Sequence, residues 1–361
     1  MKVRCYPSDT TGSGRYRMRY PAQAAIAAGA DVYLSTGEKG DGLPIERMTQ
    51  GGRNYVRPKP IDADVLVLQR IADETSVAIL PAIQQAGIAI VVDIDDDLSA
   101  LPPTHPACKQ LNPRLSPHMN WRLLERACRI ADMVTVSTPA LARVYGSHGR
   151  VAVLPNCVPE RMLDMPRNSD GMTVGWTGWT VSHPGDLRVT GGGVADAIRR
   201  VPGAHYLQIG PAHDVRRQLA LDSEPESTGG LPEIEDYYTA LGRLDVGITP
   251  LDDTRFNSAK SWLKPLEMAA RGVAPVMSPR ADYALLHSYG VGLLAEDRGR
   301  AWRRDVELLL TDLHSRTELV ERGREAIRDR WTYEARGERW IEAWERAVAH
   351  RRAQRPEAVA A

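Results

Sequence analysis

The sequence predicts an α/β chain built from two doubly wound parallel sheets in series. Three observations carry that expectation. At 361 residues the chain exceeds a comfortable single core, which points to two domains of roughly 150–200 residues. Short apolar, β-branched runs alternate with helical stretches along most of its length, the pattern of βαβ units. The alternation breaks once, at Val158–Gly171, and then restarts.

In the first half, Lys2–Tyr6, Asp64–Gln69, Gly87–Asp93, Asp132–Ser137 and Val151–Pro155 read as strands. They are continuous apolar runs rather than alternating ones, as expected for a sheet covered on both faces. Helices are expected between them at Tyr20–Ala28, Thr75–Ala86, Met119–Ala131 and Pro139–Tyr145. The polar, Pro-bearing Val158–Gly171 is the candidate linker. Strands resume at Thr173–Gly178, Ala204–Gly210, Asp245–Leu251, Val273–Ser278 and Gly292–Glu296. From about Ala301 the chain reads as helical, with Trp331, Trp340 and Trp344 on a long amphipathic stretch. The expected division is a first domain over 1–160, a linker over 161–171 and a second domain over 172–331. A final helix over 332–352 and a disordered tail over 353–361 complete it.

Composition excludes several classes. Hydrophobic residues make up 43% and charged residues 25%, which is neither disordered, collagenous nor coiled-coil usage. Lys+Arg and Asp+Glu both total 46, so no global field draws the protein to nucleic acid or an anionic membrane. The four cysteines are scattered without a CxxC pair, which suits reduced thiols in the cytoplasm better than zinc or disulfides. No segment approaches the ~18 apolar residues of a membrane span, and the first residues lack the apolar stretch of a signal peptide. Only six lysines occur, and two of them, Lys260 and Lys264, lie four residues apart.

Ligands of open parallel sheets bind beyond the carboxyl ends of the strands, so the loops there are the candidates. The first, Pro7–Pro21, offers Gly12 and Gly14, whose backbone could approach a phosphate or sugar, and crowds Arg15, Arg17 and Arg19 beside them. A dinucleotide fingerprint needs a third glycine where Arg17 stands, so NAD is not expected. Asp93–Asp97 (DIDDD) ends a strand and reads as magnesium ligands, a helix-cap cluster or sugar-binding carboxylates. Neither of the last two needs metal, and no second acidic cluster with histidine accompanies it. Gly175–Leu187 (GWTGWTVSHPGDL) sets Gly178, Trp179, His183 and Asp186 after the first strand of the second half.

The most informative segment is Phe256–Gly272 (FNSAKSWLKPLEMAARG), with Asn257, Lys260, Ser261, Lys264 and Glu267. Pro265 is a natural first helical residue, which places both lysines just before a helix N-terminus and Glu267 in its first turn. Two ammonium groups with free amides form an anion site, and the carboxylate can accept two sugar hydroxyls. That combination suits a nucleoside diphosphate with its ribose.

With VVDIDDD, DMVTVST, VLPNCVP, GWTGWTVSHPGDL, YYTALGRLDVGITPL and FNSAKSWLKPLEMAARG in this order, the chain resembles the nucleotide-sugar glycosyltransferases of the GT-B fold. The similarity is to the large retaining group called family four and its phage and bacterial relatives. The resemblance implies two facing Rossmann-like domains, a donor held mainly by the second, and a last helix crossing back to the first. It implies that Glu267 binds the nucleotide ribose, that the preceding loop contacts phosphate and sugar, and that neither metal nor cofactor is needed. Two departures stand out. The common second glutamate, eight residues before Glu267, is Ala259 here. The Arg/Lys pair often found after the second domain's first strand is absent, leaving the phosphate charge to Lys260 and Lys264.

The expected function is therefore transfer of a sugar from a nucleoside diphosphate sugar, a UDP-sugar foremost, to an acceptor hydroxyl, with retention. Lys260, Asp95 and Asp96 are the expected catalytic residues. Gly12, Gly14, Arg17, Gly178, Trp179, His183, Asp186, Asn257, Ser261, Lys264 and Glu267 are the expected donor contacts. The acceptor is a glycan, protein, lipid or modified DNA base. The alternatives are a phage-type DNA-base glycosyltransferase using Arg15, Arg17, Arg19, Arg53 and Arg57, and an inactive nucleotide-binding subunit.

Overall fold

The computed structural model describes residues 1–38, 41–50, 53–280 and 282–354. Its strands are β1 (Lys2–Tyr6), β2 (Asp31–Leu34), β3 (Ile45–Gln50), β4 (Arg53–Pro58), β5 (Val65–Gln69), β6 (Ala89–Ile94), β7 (Met133–Val136) and β8 (Val151–Val153). There follow β9 (Thr173–Thr177), β10 (His205–Ile209), β11 (Glu226–Ser227), β12 (Val246–Thr249), β13 (Ala274–Met277) and β14 (Leu293–Leu294). The chain separates into two compact units. One comprises 1–101, 107–156 and 336–361; the other comprises 102–106 and 157–335.

The first unit holds a parallel six-stranded sheet of order β2-β1-β5-β6-β7-β8. Strands β5 and β6 are buried along their whole length, which explains their continuous apolar sequence. Helix starts follow local chemistry. Asn120, Asp73 and Thr138 each cap the helix that follows by accepting a backbone N–H. The helix Glu338–Ala353 belongs to this unit, burying Trp340 and Trp344. Arg351 fastens it by donating from Nε (2.9 Å) and Nη2 (2.6 Å) to Asp132, whose other oxygen accepts the Ile90 amide at 2.8 Å.

The second unit holds another parallel six-stranded sheet, of order β11-β10-β9-β12-β13-β14, in which two strands rather than one lie outside its first strand. Its core gathers Val174, Trp176, Ile248, Val276 and Trp302, all essentially without exposure. Chain entry and exit lie side by side: the Val158 amide donates to Trp331 O at 2.9 Å and the Tyr333 amide to Val158 O at 3.1 Å.

Every strand expected from the sequence is present, but four were not legible. β2 is a four-residue edge strand, half-exposed, whose apolar run is only Val32–Leu34, and β11 is an exposed two-residue edge strand with none. β3 and β4 form a separate antiparallel hairpin whose polar, Arg-bearing sequence packs only one side. The expected linker 161–171 is not a free connector. It contains the helix Arg161–Asp164, buries Met162 and Leu163, and is stitched to Arg271, which donates to the carbonyls of Met162, Met165 and Pro166. The C-terminal stretch is helical, as four helices, Gly299–Thr311, Leu313–Arg330, Tyr333–Arg336 and Glu338–Ala353, so the expected final helix over 332–352 is two. Trp331 falls with the second unit and Trp340 and Trp344 with the first. Of the expected tail, Ala353 ends the last helix and Gln354 is its C-cap, and the rest lies outside the described residues.

Candidate functional site

In the second unit the chain runs from β9 outward to β10 and β11, then returns to β12 on the other side. The β9–β12 boundary is thus the topological switch point, where loops diverge and leave a crevice beyond the strand ends. The loop after β9 carries Gly178, Trp179, His183 and Asp186, and the loop after β12 leads through Asn257, Lys260 and Ser261 to the helix Leu263–Ala270.

That helix starts two residues earlier than Pro265 suggests. Trp262 is its N-cap position, no side chain caps it, and Pro265 is its third residue. Proline is tolerated there because first-turn N–H groups have no intrahelical acceptor. Lys264 therefore lies inside the first turn, and Glu267 in the second rather than the first.

His183 is the centre of the polar group. Its Nδ1 lies 2.8 Å from Asp186 Oδ2, and its Nε2 lies 3.3 Å from Lys264 Nζ. Burial and the adjacent Lys264 ammonium push the imidazole down to about 4. The ring is thus neutral: Nδ1–H donates to the carboxylate and the Nε2 lone pair faces Lys264. Burial disfavours an ionised Asp186, but the hydrogen bonds from His183 and the Asp252 amide outweigh it and hold the carboxyl low. Asp186 also accepts from the Asp252 amide (3.0 Å) and from Asn257 Nδ2 (2.6 Å). The Trp176 ring meets His183 edge-on, and the Lys264 ammonium lies 5.0 Å over the same ring. Gly178 admits this arrangement: its φ is 148°, and a Cβ would meet the Trp176 ring at 2.8 Å and Lys264 Nζ at 3.0 Å.

Glu267 is buried at 3% exposure and accepts from the Tyr237 hydroxyl at 2.9 Å; Tyr237 in turn accepts from Thr177 at 3.2 Å. Burial beside that carboxylate keeps Tyr237 well above the usual phenol range. Lys260 holds its ammonium 4.2 Å over the Phe256 ring, and Ser261 is partly exposed. Trp179 is 40% exposed.

Several expected contacts are taken up internally. Asn257 and Asp186 are buried and bond each other, so they brace the loops rather than face a ligand. In the first unit Arg17 is 2% exposed and locked to Asp93 by Nε (3.0 Å) and Nη2 (2.7 Å), with Nη1 on Leu154 O and Asn156. Four of its five N–H donors are thus used inside the protein, and its burial keeps the side chain from reaching a donor substrate. The Gly14 amide is used by Asp9, and a Cβ there would strike Asp9 O at 1.7 Å, so this glycine serves packing of the turn. Gly12 is open, with nothing near its Cβ position. The basic patch of the DNA reading loses Arg17 to the interior, and the Arg53 side chain lies outside the described residues.

The DIDDD carboxylates are likewise distributed. Asp93 pairs with Arg17, and Asp97 caps the short helix Leu98–Ala100. Asp95 accepts from Ser13 Oγ (2.5 Å) and Arg70 Nε (2.6 Å), and Asp96 from Arg70 Nη2 (3.1 Å). Gln69 donates to Ser13 at 2.7 Å, completing a polar group at the ends of β5 and β6. Among the described residues, no three His, Cys, Asp or Glu side chains are placed to hold a metal ion. Sequence reasoning missed Tyr237, Asp252, Ser13 and Arg70; Arg70 and Asp252, each directly after an expected strand, and Ser13, inside the first flagged loop, occupied positions that could have flagged them.

No family model and no curated protein matches the chain. Solved structures do. A sucrose-phosphate synthase from Thermosynechococcus elongatus superposes with a TM-score of 0.64 at 14% identity, covering 97% of this chain and 100% of its own. A glycosyltransferase from Rickettsia africae gives 0.64 at 11% identity, with 96% and 98% covered. HepE of Anabaena, in complex with UDP, gives 0.62 at 12% identity, with 96% and 100% covered. None of the helices among the described residues is long and apolar enough to cross a membrane. With two parallel six-stranded sheets matched over nearly the whole chain, the fold is the GT-B fold of glycosyltransferases.

Proposed function

We propose that this protein is a glycosyltransferase that moves a sugar from a nucleoside diphosphate sugar to an acceptor hydroxyl. One observation carries the proposal: at the β9–β12 switch point, Lys264 stands in the first turn of an uncapped helix with Glu267 one turn on. A cation at a helix N-terminus opposes the dipole, and an anion bound there offsets the conflict. A diphosphate supplies that anion. Glu267, with Tyr237 on one oxygen, is suited to accept ribose hydroxyls.

When the bond from the sugar's anomeric carbon to the diphosphate breaks, its electron pair passes to the diphosphate oxygen. Lys260, Lys264 and the helix stabilise that growing charge without a metal, the role that preorganised donors fill in such steps. The UDP held by the Anabaena neighbour supports a uridine nucleotide here. Asp95 and Asp96, oriented by Arg70, are assigned to hydroxyls of the acceptor or the transferred sugar. Retention of configuration is part of the proposal, with Ala259 in place of the family's second glutamate. The acceptor is a glycan, protein, lipid or modified base.

Calorimetry with UDP, ADP and GDP tests the binding step, and mass spectrometry of nucleotide-sugar incubations tests transfer. Affinity for none of the three nucleotides refutes the proposal. Binding without hydrolysis or transfer to any acceptor favours a nucleotide-binding subunit instead.

A further inference from the structure

We infer that His183 and Asp186 are a positioning pair that aims the Lys264 ammonium at the donor's diphosphate. The inference rests on the donor site proposed above and assigns to this chain's own residues the work of holding its cation.

A lysine side chain has four rotatable bonds and gives up much entropy to hold one pose. Here three contacts define the pose of Lys264. Its Nζ lies 3.3 Å from His183 Nε2, it lies 5.0 Å over the Trp176 ring, and the missing side chain of Gly178 leaves room for it. The imidazole is itself fixed. Asp186 accepts a hydrogen bond from Nδ1–H at 2.8 Å, which leaves Nε2 as the acceptor, and the Trp176 edge contact sets the plane of the ring. Asp186 is fixed in turn by Asn257 and the Asp252 amide. The chain of contacts thus links the loop after β12 through the loop after β9 to the helix bearing the cation.

The alternative use of such a pair, a histidine base backed by a carboxylate, does not fit. A base needs its Nε2 lone pair turned toward a substrate hydroxyl. Here that lone pair is turned to an ammonium, and Lys264 disfavours protonation of the ring.

The test is a double-mutant cycle read by calorimetry with UDP, on variants shown folded by circular dichroism. His183→Ala should weaken UDP by about tenfold, the scale of one hydrogen bond to a charged group. His183→Gln, whose carbonyl oxygen can still accept from Lys264, should recover most of that loss. In a Lys264→Ala background, His183→Ala should have no further effect, because it acts only through the lysine. An equal loss with and without Lys264 overturns the inference, as does unchanged UDP affinity in His183→Ala. If the unaltered protein binds UDP, those results reject the positioning pair alone; if it binds no nucleoside diphosphate, the donor site falls and the inference with it.

Discussion

Replacing Arg17 by methionine should destabilise the first unit without touching the donor site. The Arg17 and Asp93 side chains are 0% and 1% exposed. The guanidinium makes two bonds to Asp93, at 3.0 and 2.7 Å, and one each to Leu154 O and Asn156, at 2.6 and 3.0 Å. Methionine fills much of the volume but leaves Asp93 with a single side-chain donor, Thr135 at 2.7 Å. Removing one partner of a buried ion pair costs about 3–5 kcal/mol, because the other charge is left uncompensated in the interior. Arg17→Met/Asp93→Leu should recover part of it, since no charge then stays buried. Two units need not unfold in one step, so hydrogen exchange in β6, which carries Asp93, is the direct assay, with urea unfolding beside it. Protection in β6 should fall by about two to four powers of ten. The reasoning is refuted if Arg17→Met keeps β6 protected while UDP affinity drops tenfold, for then Arg17 is the ligand contact that the loop sequence suggested.

Three further outcomes are expected. Turnover should survive EDTA, because a lysine-bearing helix terminus stands where a metal-dependent enzyme holds its cation; loss restored by magnesium or manganese would assign DIDDD to a metal. Lys260→Ala should lower kcat on the order of 10²–10³, since its charge acts as the leaving group forms. By contrast, Glu267→Gln should act through donor KM by about tenfold, since the ribose does not change; equal kcat losses in both variants would contradict this division. His183 should make the second unit acid-sensitive: its proton affinity falls from 6.5 unfolded to about 4 folded, through burial first and Lys264 second. Stability from this group is complete above about pH 6.5 and is lost as pH falls toward 4, where the unfolded chain binds the proton and the folded one does not. At about 1.4 kcal/mol per tenfold change in proton affinity, the loss is about 3 kcal/mol, and His183→Gln should flatten that part of the urea-midpoint profile.

The fold class lay in the sequence because its cause is local. A strand covered on both faces must be apolar throughout, so β5, β6, β9 and β12 announce themselves in a few residues each. The two lysines beside Glu267 marked the helix to which the diphosphate is assigned in the proposal. The half-exposed edge β2 carries only a three-residue run and the hairpin β3–β4 none, because water covers part of each, and they were illegible. What the sequence could not hold is which charge meets which. Arg17 and Asp93 are 76 residues apart, and His183 and Lys264 are 81 apart. Composition allows every one of these side chains to face solvent or ligand; only the order of strands in the sheet brings a given pair together. That order made Arg17 a buried strut instead of a phosphate contact and turned His183 toward a lysine. Burial then raised the cost of leaving either pair unmatched, which is why tertiary structure, not residue type, decided their roles.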